Sequence, residues 1–328
     1  MTKPGKGPAR RGWRQGRVLA LLAVLVACLL VFHGAVPQTP GRMGSLLETF
    51  LPWLGLAVPV LLVLALVRRS YLATAALALP VAAWTALFGG LVFSHEGIPR
   101  DGSSPGDGPA PRLTVVQHNV SDVNPDPAAT ARALAAVGAD LVALEELTPS
   151  ALPAFEAALA ADHPHHATRG TVGLWSAYPL TDVRLVDIRP RGVGEGWNRG
   201  LRATARTPWG EVAVHVAHLP SVRLGPADGF SSALRDESAV LLGEAVAAER
   251  LDRVVLLGDL NSTVDDRGLA PVVSRMSVPA SGFAFSWPAS LPVARIDQVL
   301  TRSATVTGIR SLPATGSDHL PVTARIRW

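Results

Sequence analysis

Three apolar stretches crowd into the first hundred residues, and no other feature restricts the folding of this chain so severely. They run over about Val18–Val36, Leu47–Val67 and Tyr71–Phe93, 19 to 23 residues each, with no charge at their centres. An α-helix rises 1.5 Å per residue, so about 20 residues cross the ~30 Å hydrocarbon core of a bilayer. The stretches therefore predict three transmembrane helices, with Glu48 at the edge of the second, where it can reach the interface. A cleavable signal peptide would also carry a basic segment before the first stretch. Two more stretches follow at once, however, and no small-residue cleavage motif stands out.

The cations set the expected orientation. Lys3, Lys6, Arg10, Arg11, Arg14 and Arg17 precede the first stretch, Arg68 and Arg69 separate the second from the third, and the first loop holds only Arg42. The positive-inside rule then puts the N-terminus in the cytoplasm and everything after about Ser94 outside the cell membrane. No charge lies at mid-depth, so an ion or proton pathway lacks the groups it would need, and the helices read as an anchor.

The formal net charge of +4 belongs to that anchor. From Arg112 onward there are 20 Arg, no Lys and 22 Asp plus Glu, giving −2. Broad electrostatic capture of nucleic acid needs a basic surface, which this region lacks, although a local Arg cluster stays compatible with the count. The single cysteine, Cys28, lies in the first apolar stretch, so the outer region has neither a disulfide nor a thiolate nucleophile. The division is thus an anchor over 1–96, a Gly/Pro/Ser linker over 97–111 and a domain over 112–328, whose 217 residues suffice for a core. No internal repeat and no obligate protein partner are evident.

Past the linker the pattern alternates. Strands are predicted at Leu113–Gln117, Leu141–Leu144, Thr171–Ser176, Val183–Ile188, Gly200–Arg206, Glu211–Ala217, Arg253–Leu257, Ile296–Leu300 and Val322–Arg327. Helices are predicted at Ala128–Val137, Ala151–Ala160 and Phe230–Ala248. The order is βα at the front, hairpin-like in the middle and βα again. Such an order suits an α/β sandwich of two mixed sheets flanked by helices better than a purely parallel sheet.

Polar residues gather where those strands would end. The strings are Gln117-His118-Asn119-Val120, Asp140 to Leu147 (DLVALEEL), Val216 to Pro220 (VAHLP), Gly258 to Ser262 (GDLNS), Arg295 to Leu300 (RIDQVL) and Ser317 to Val322 (SDHLPV). Carboxylates, amides and imidazoles delivered from several strand ends to one point are what metal-assisted attack on a phosphate ester requires. Asp259 and Asn261, two apart on an extended segment, face the same side. A cluster of His163, His165 and His166 in a Pro-containing segment reads as a solvated turn rather than a zinc site.

These six strings, in this order, resemble those of the endonuclease/exonuclease/phosphatase superfamily, which includes DNase I-like nucleases, inositol-polyphosphate 5-phosphatases and bacterial sphingomyelinases. The resemblance covers about Arg112 to Trp328. It implies a four-layer α/β sandwich, dependence on Mg²⁺ or Mn²⁺ and hydrolysis of phosphate esters of nucleic acids, lipids or inositol phosphates. It implies that Glu146 and Asn119 hold metal, with Asp318 as a further ligand or part of the acid–base network. Asp259 would orient or deprotonate the attacking water, and Asn261 would fix the phosphate or that Asp. His319, partnered by Asp297, would stabilise transition-state charge, and His218 would contact the phosphate or protonate the leaving oxygen. Asn198, Arg199 and Trp287 are the expected substrate-facing residues. Ser121 stands where some relatives have Asp, which weakens the case for a second metal there, and Gln298 replaces a frequent His. Glu145 occupies a place usually taken by Gln and reads as structural. The reading is a membrane-anchored nuclease or phosphodiesterase. Its alternatives are a sphingomyelinase-like lipid or inositol-phosphate enzyme and a binding domain that keeps the fold without turnover.

Overall fold

The computed structural model describes residues 9–39, 41–93, 111–226 and 229–328, with backbone alone for 9–15. The linker expected at 97–111 lies outside the described residues except for Pro111. The apolar region forms helices α1 (Ala9–Val31), α2 (Met43–Thr49), α3 (Ala57–Val67), α4 (Tyr71–Ala76) and α5 (Ala78–Phe93).

The expectation of three full spans needs correction. Among the described residues one helix, the run Tyr71–Phe93, is long and apolar enough to cross a bilayer alone. The second stretch bends by 72° between Met43–Thr49 and Leu51–Val67. Pro52 lacks the amide an α-helical turn needs, and Leu51–Leu56 tighten into a 3-10 helix at the bend. Helix α1 is 23 residues long, and its apolar part ends at Val31 rather than reaching Val36.

The remaining chain runs β1 (Arg112–Asn119), α6 (Pro127–Ala135), β2 (Leu141–Glu145), α7 (Leu152–Leu159), β3 (His165–Arg169), β4 (Val172–Ser176), β5 (Leu180–Leu185), β6 (Gly200–Thr207) and β7 (Gly210–Ala217). It continues through β8 (Arg223–Gly225), β9 (Gly229–Ser231), α8 (Ala233–Ala247), β10 (Val254–Asp259), α9 (Ala270–Val273), β11 (Asp297–Arg302), β12 (Thr305–Ser311) and β13 (Val322–Arg327). One sheet has the order β12-β13-β1-β2-β4-β3 and the other β11-β10-β7-β6-β5. Both are mixed: β1 is parallel to β2 and antiparallel to β13, and β10 is parallel to β7 and antiparallel to β11.

Strand alternation explains the layering. Leu113, Val115, Leu141 and Ala143 point from the first sheet toward Val212, Val214, Val255 and Leu257 of the second, and together they form the central core. The other faces carry Val116, Val142 and Leu144 against α6 and α7, and Val254, Leu256 and Leu300 against α8 and α9. The result is the sandwich the pattern predicts. Strands β3 and β12 were not legible as such, because polar β3 lies on a sheet edge and the irregularity between Val306 and Gly308 breaks the alternation of β12. The histidine cluster does not form a solvated turn. His163 is buried with Nε2 at 2.8 Å from the Ala139 carbonyl, while His166 lies over the Trp175 ring, 5.7 Å between centroids.

The helices dock on the sandwich through specific contacts. Glu48 leaves the apolar stretch to accept from Arg267 Nη2 at 2.7 Å and lies 3.1 Å from His33 Nδ1. Ser45 donates to Asp266, which also holds the buried Arg235 at 2.7 Å. Arg235 in turn donates to the carbonyl of Asn261 at 3.1 Å. Trp53 stacks on Phe285 with ring centroids 5.5 Å apart.

Candidate active site

The inward-facing columns of the two sheets change character at one end of the sandwich. In β1 the column Leu113, Val115 continues as Gln117 and Asn119, and in β2 Leu141, Ala143 continues as Glu145. Val255 and Leu257 lead to Asp259, Val299 follows Asp297, and Val214 and Val216 lead to His218. The same alternation that builds the apolar core therefore delivers a polar cluster to its edge.

Left-handed backbone then turns further groups into the cleft. Ser121, Glu146 and Asn261 all have positive φ, at 61°, 58° and 47°. Non-glycine residues rarely adopt this conformation, and each occurrence costs on the order of 1 kcal/mol or more. For Glu146 the turn breaks strand alternation, so its Oε1 comes within 3.8 Å of His218 Nε2, while Oε2 accepts from the Asp122 amide at 3.2 Å.

Asp259 is the hub. Its Oδ2 accepts from Asn119 Nδ2 at 3.0 Å and Asn261 Nδ2 at 3.3 Å, and its Oδ1 accepts from the Asn261 amide at 2.9 Å. His218 Nε2 stands 3.6 Å from the same Oδ2, and His319 Nε2 stands 3.7 Å away. His319 Nδ1 is 2.8 Å from Asp297 Oδ2, as expected, and Asp297 also accepts from Gln117 Nε2 at 3.0 Å.

Electrostatics divides the roles. Burial lowers His319, but Asp297 and then Asp259 outweigh it, and the imidazole is raised to about 10. Burial raises Asp259 above the ordinary aspartate range, against the opposing pull of His319. His218 goes the other way: burial, with Arg199 beside it, holds the ring neutral, well below its ordinary value. The site thus pairs a cationic and a neutral imidazole across one carboxylate.

Asp259, Asp297 and His319 offer atoms within 4.8 Å of one another, a spacing that suits a metal. A cation is nevertheless already there in the protonated His319, with Nδ1 taken by Asp297. Two further oxygen donors stand beside Asp259: the Glu146 carboxylate, and Asn119 Oδ1, which accepts from the Ser121 amide at 3.0 Å and keeps a second lone pair. Hard oxygen donors without thiolate fit Mg²⁺ or Mn²⁺.

Residues 116–319, well over half the chain, match the family described as Endonuclease/Exonuclease/phosphatase family. The chain belongs to that family. None of the curated proteins compared matches the sequence. Among solved structures, beta toxin from Staphylococcus aureus is similar at 16% identity and TM-score 0.53, over 65% of this chain and 99% of that one. Sphingomyelinase C from Streptomyces griseocarneus is 20% identical at TM-score 0.51, over 66% and 99%. D. rerio TDP2, in complex with a single-strand DNA product, is 15% identical at TM-score 0.53, over 66% and 99%. At these identities the likeness is one of fold.

Other expected site residues of this family member are more dispersed. Asp318 is exposed, its carbonyl tied to the Ala289 amide at 2.7 Å, and its charge adds to those that raise His319. Arg199 faces the cleft, with Nη1 3.2 Å from His218 Nδ1 and its guanidinium 5.0 Å from the Trp197 ring centroid. Asn198 is exposed and engages through its backbone, its carbonyl accepting from Thr171 at 3.2 Å. Trp287 is partly exposed on a loop in which it bridges to Ala294.

Sequence reasoning undervalued Gln117 and Glu145. Glu145 continues the inward column of β2 beneath the site, where it accepts from Gln117 Nε2 at 2.7 Å. Burial, reinforced by Asp297 and Asp259, raises it well above the carboxylate range. The signal available was the register: Glu145 pairs with Asn119 on β1.

Gly258 shows how tightly the hub is set. A Cβ there would overlap the carbonyl oxygen of Ala217 on β7. Gly258→Ala is expected to cost about 2 kcal/mol or more, because strand β10 must shift against its neighbour. Chemical denaturation of the two proteins checks this.

Proposed function

We propose that this protein is a divalent-metal-dependent phosphodiesterase-type hydrolase, held at the cell membrane by its helices with the N-terminus cytoplasmic and the catalytic domain outside. One observation carries the chemistry: Asp259 Oδ2 has Asn119, Asn261, His218 and His319 within 3.7 Å. Asp259 accepts a proton from water as that water attacks phosphorus in line. The P–O ester bond opposite breaks, the leaving oxygen takes a proton from solvent water, and Asp259 returns its own to solvent. Asn119 and Asn261 hold the Asp259 carboxylate in one orientation, and neutral His218 donates to the phosphate from Nε2. Protonated His319, fixed by Asp297, offsets the charge that develops on the phosphoryl oxygens. A Mg²⁺ or Mn²⁺ held by Glu146 and Asn119 would supply Lewis-acid neutralisation of the phosphate. A beta toxin structure with bound magnesium ions supports that choice.

The anchoring part rests on the apolar run Tyr71–Phe93 and on the sides at which the loops lie. The segment after α1 and the end of α5 meet the catalytic domain, while Gly16 abuts Ser70 at the opposite end of the bundle, beside Arg68 and Arg69. Sphingomyelinase C and the DNA-bound TDP2 among the structural neighbours bracket the candidate substrates, lipid and nucleic-acid esters.

The test is turnover of bis-p-nitrophenyl phosphate by the full-length protein in detergent. Activity is expected with Mg²⁺ or Mn²⁺ and none in EDTA. Glu146→Gln is expected to raise the metal concentration for half-maximal rate at least about tenfold. Undiminished activity in EDTA would remove the metal from the reading. A folded, cation-binding protein inert toward every phosphate ester would be a binding domain instead.

A further inference from the structure

We infer that the substrate is a membrane phospholipid, and that one of its acyl chains lodges in an apolar cavity between the helices and the catalytic domain while its phosphate ester reaches Asp259. The inference rests on the hydrolase reading above and names its substrate class.

The cavity measures about 430 Å³ and is walled by Trp53, Leu56, Val81 and Trp84 from the helices and by Phe283 and Phe285 from the domain. That volume falls within the roughly 300–1,000 Å³ of small-molecule sites. Its polar atoms have been turned away. The Trp53 indole donates to the Val293 carbonyl at 2.7 Å, and the Trp84 indole donates to the Pro52 carbonyl at 2.8 Å. What remains is ring face and aliphatic carbon, with the Thr85 hydroxyl as an exception, so the chemistry that fits is a hydrocarbon chain. An inositol phosphate or a nucleotide would find almost nothing there to hydrogen-bond.

Two further observations select the occupant. Leu56 and Val81 on the cavity wall are 58% and 46% exposed, and Val60 on the adjoining turn of α3 is 59% exposed. The cavity therefore opens toward apolar helix faces that, in the anchored protein, meet the acyl region of the bilayer. The wall is also continuous with the catalytic dyad. Phe283 and Phe285 face the cavity, Ala284 between them packs against the central core, and Ser286 is buried. The Ser286 hydroxyl accepts from the Asp297 amide at 3.4 Å, and the Ser286 carbonyl accepts from the Leu320 amide at 2.8 Å, next to His319. One short segment thus forms the cavity wall on one side and steadies Asp297 and His319 on the other. A phospholipid has a hydrocarbon tail and a phosphate in that same order.

The experiment uses full-length protein in mixed micelles with Mg²⁺ and compares kcat/KM for a phosphatidylcholine with that for bis-p-nitrophenyl phosphate. The readout is the ratio of the two, in the natural protein, in Val81→Phe, which fills the cavity, and in Thr85→Leu as a milder second variant. The ratio is independent of how much of a variant is folded. We expect the natural protein to favour the lipid, and the ratio to fall at least about tenfold in Val81→Phe and less in Thr85→Leu. Equal preference for both esters, or a ratio that neither variant moves, overturns the lipid inference and leaves the hydrolase reading standing. Failure of the natural protein to cleave either ester overturns both.

Discussion

Asp259→Asn is expected to lower turnover about a thousandfold while leaving the fold intact. Asparagine is isosteric, and its carbonyl oxygen can accept from the Asn119 and Asn261 side chains, which at 3.0 and 3.3 Å hold the carboxylate now, although its NH2 gives up the bond from the Asn261 amide. It cannot accept a proton from water, and it removes the negative charge that helps raise His319. Steady-state turnover with a circular-dichroism check on the fold measures this. A loss of less than tenfold in a folded variant would move the base elsewhere. The same carboxylate shapes the acid side of the pH profile. Burial raises Asp259, so the basic form is reached only above the ordinary aspartate range, and activity is expected to fall as pH drops through that raised value.

Asp297→Asn carries the second large effect, about a hundredfold at pH 8, and a change in the shape of the pH profile. In the natural protein His319 is raised to about 10, since Asp297 and then Asp259 overcome the burial that lowers it. A group with a raised value keeps its proton below that value and loses it above. The natural protein should therefore hold its activity up to about pH 10 on the alkaline side. Without the Asp297 charge, burial gains ground and His319 moves back toward its ordinary 6.5, so the alkaline fall should begin near neutrality. A pH–rate profile of kcat/KM reads this shift. An unchanged alkaline limb would show that the His319 charge plays no part in the step.

The contacts between helices and sandwich give the substrate question its physical form. Arg267, bonded to Glu48, and Arg235, bonded to both Asp266 and Asn261, join the helix loops to the segment after β10. The helices are therefore part of the architecture that carries the site.

Much of this was legible in the residues. Aliphatic runs that end in polar strings marked the ends of β1, β2 and β10, because a strand buried on both faces leaves a continuous apolar run whatever its neighbours are, and the order βα, hairpin, βα predicted two mixed sheets. The pairing of His319 with Asp297 was also legible, from the strings that carry them. What the sequence could not decide by itself was anything set by backbone geometry or by distance across the fold. The 72° break in the second apolar stretch brings Glu48 to Arg267, 219 residues away, a partner the local sequence does not name. The turn of Glu146 into the cleft depends on a left-handed φ of 58° that strand alternation does not anticipate. The upward shift of Glu145 beneath the site and the downward shift of His218 beside it come first from burial, which exists only once both sheets have closed. Local patterning determined the elements and the residues at their ends. Only tertiary packing decided which of those residues meet, and with what charge.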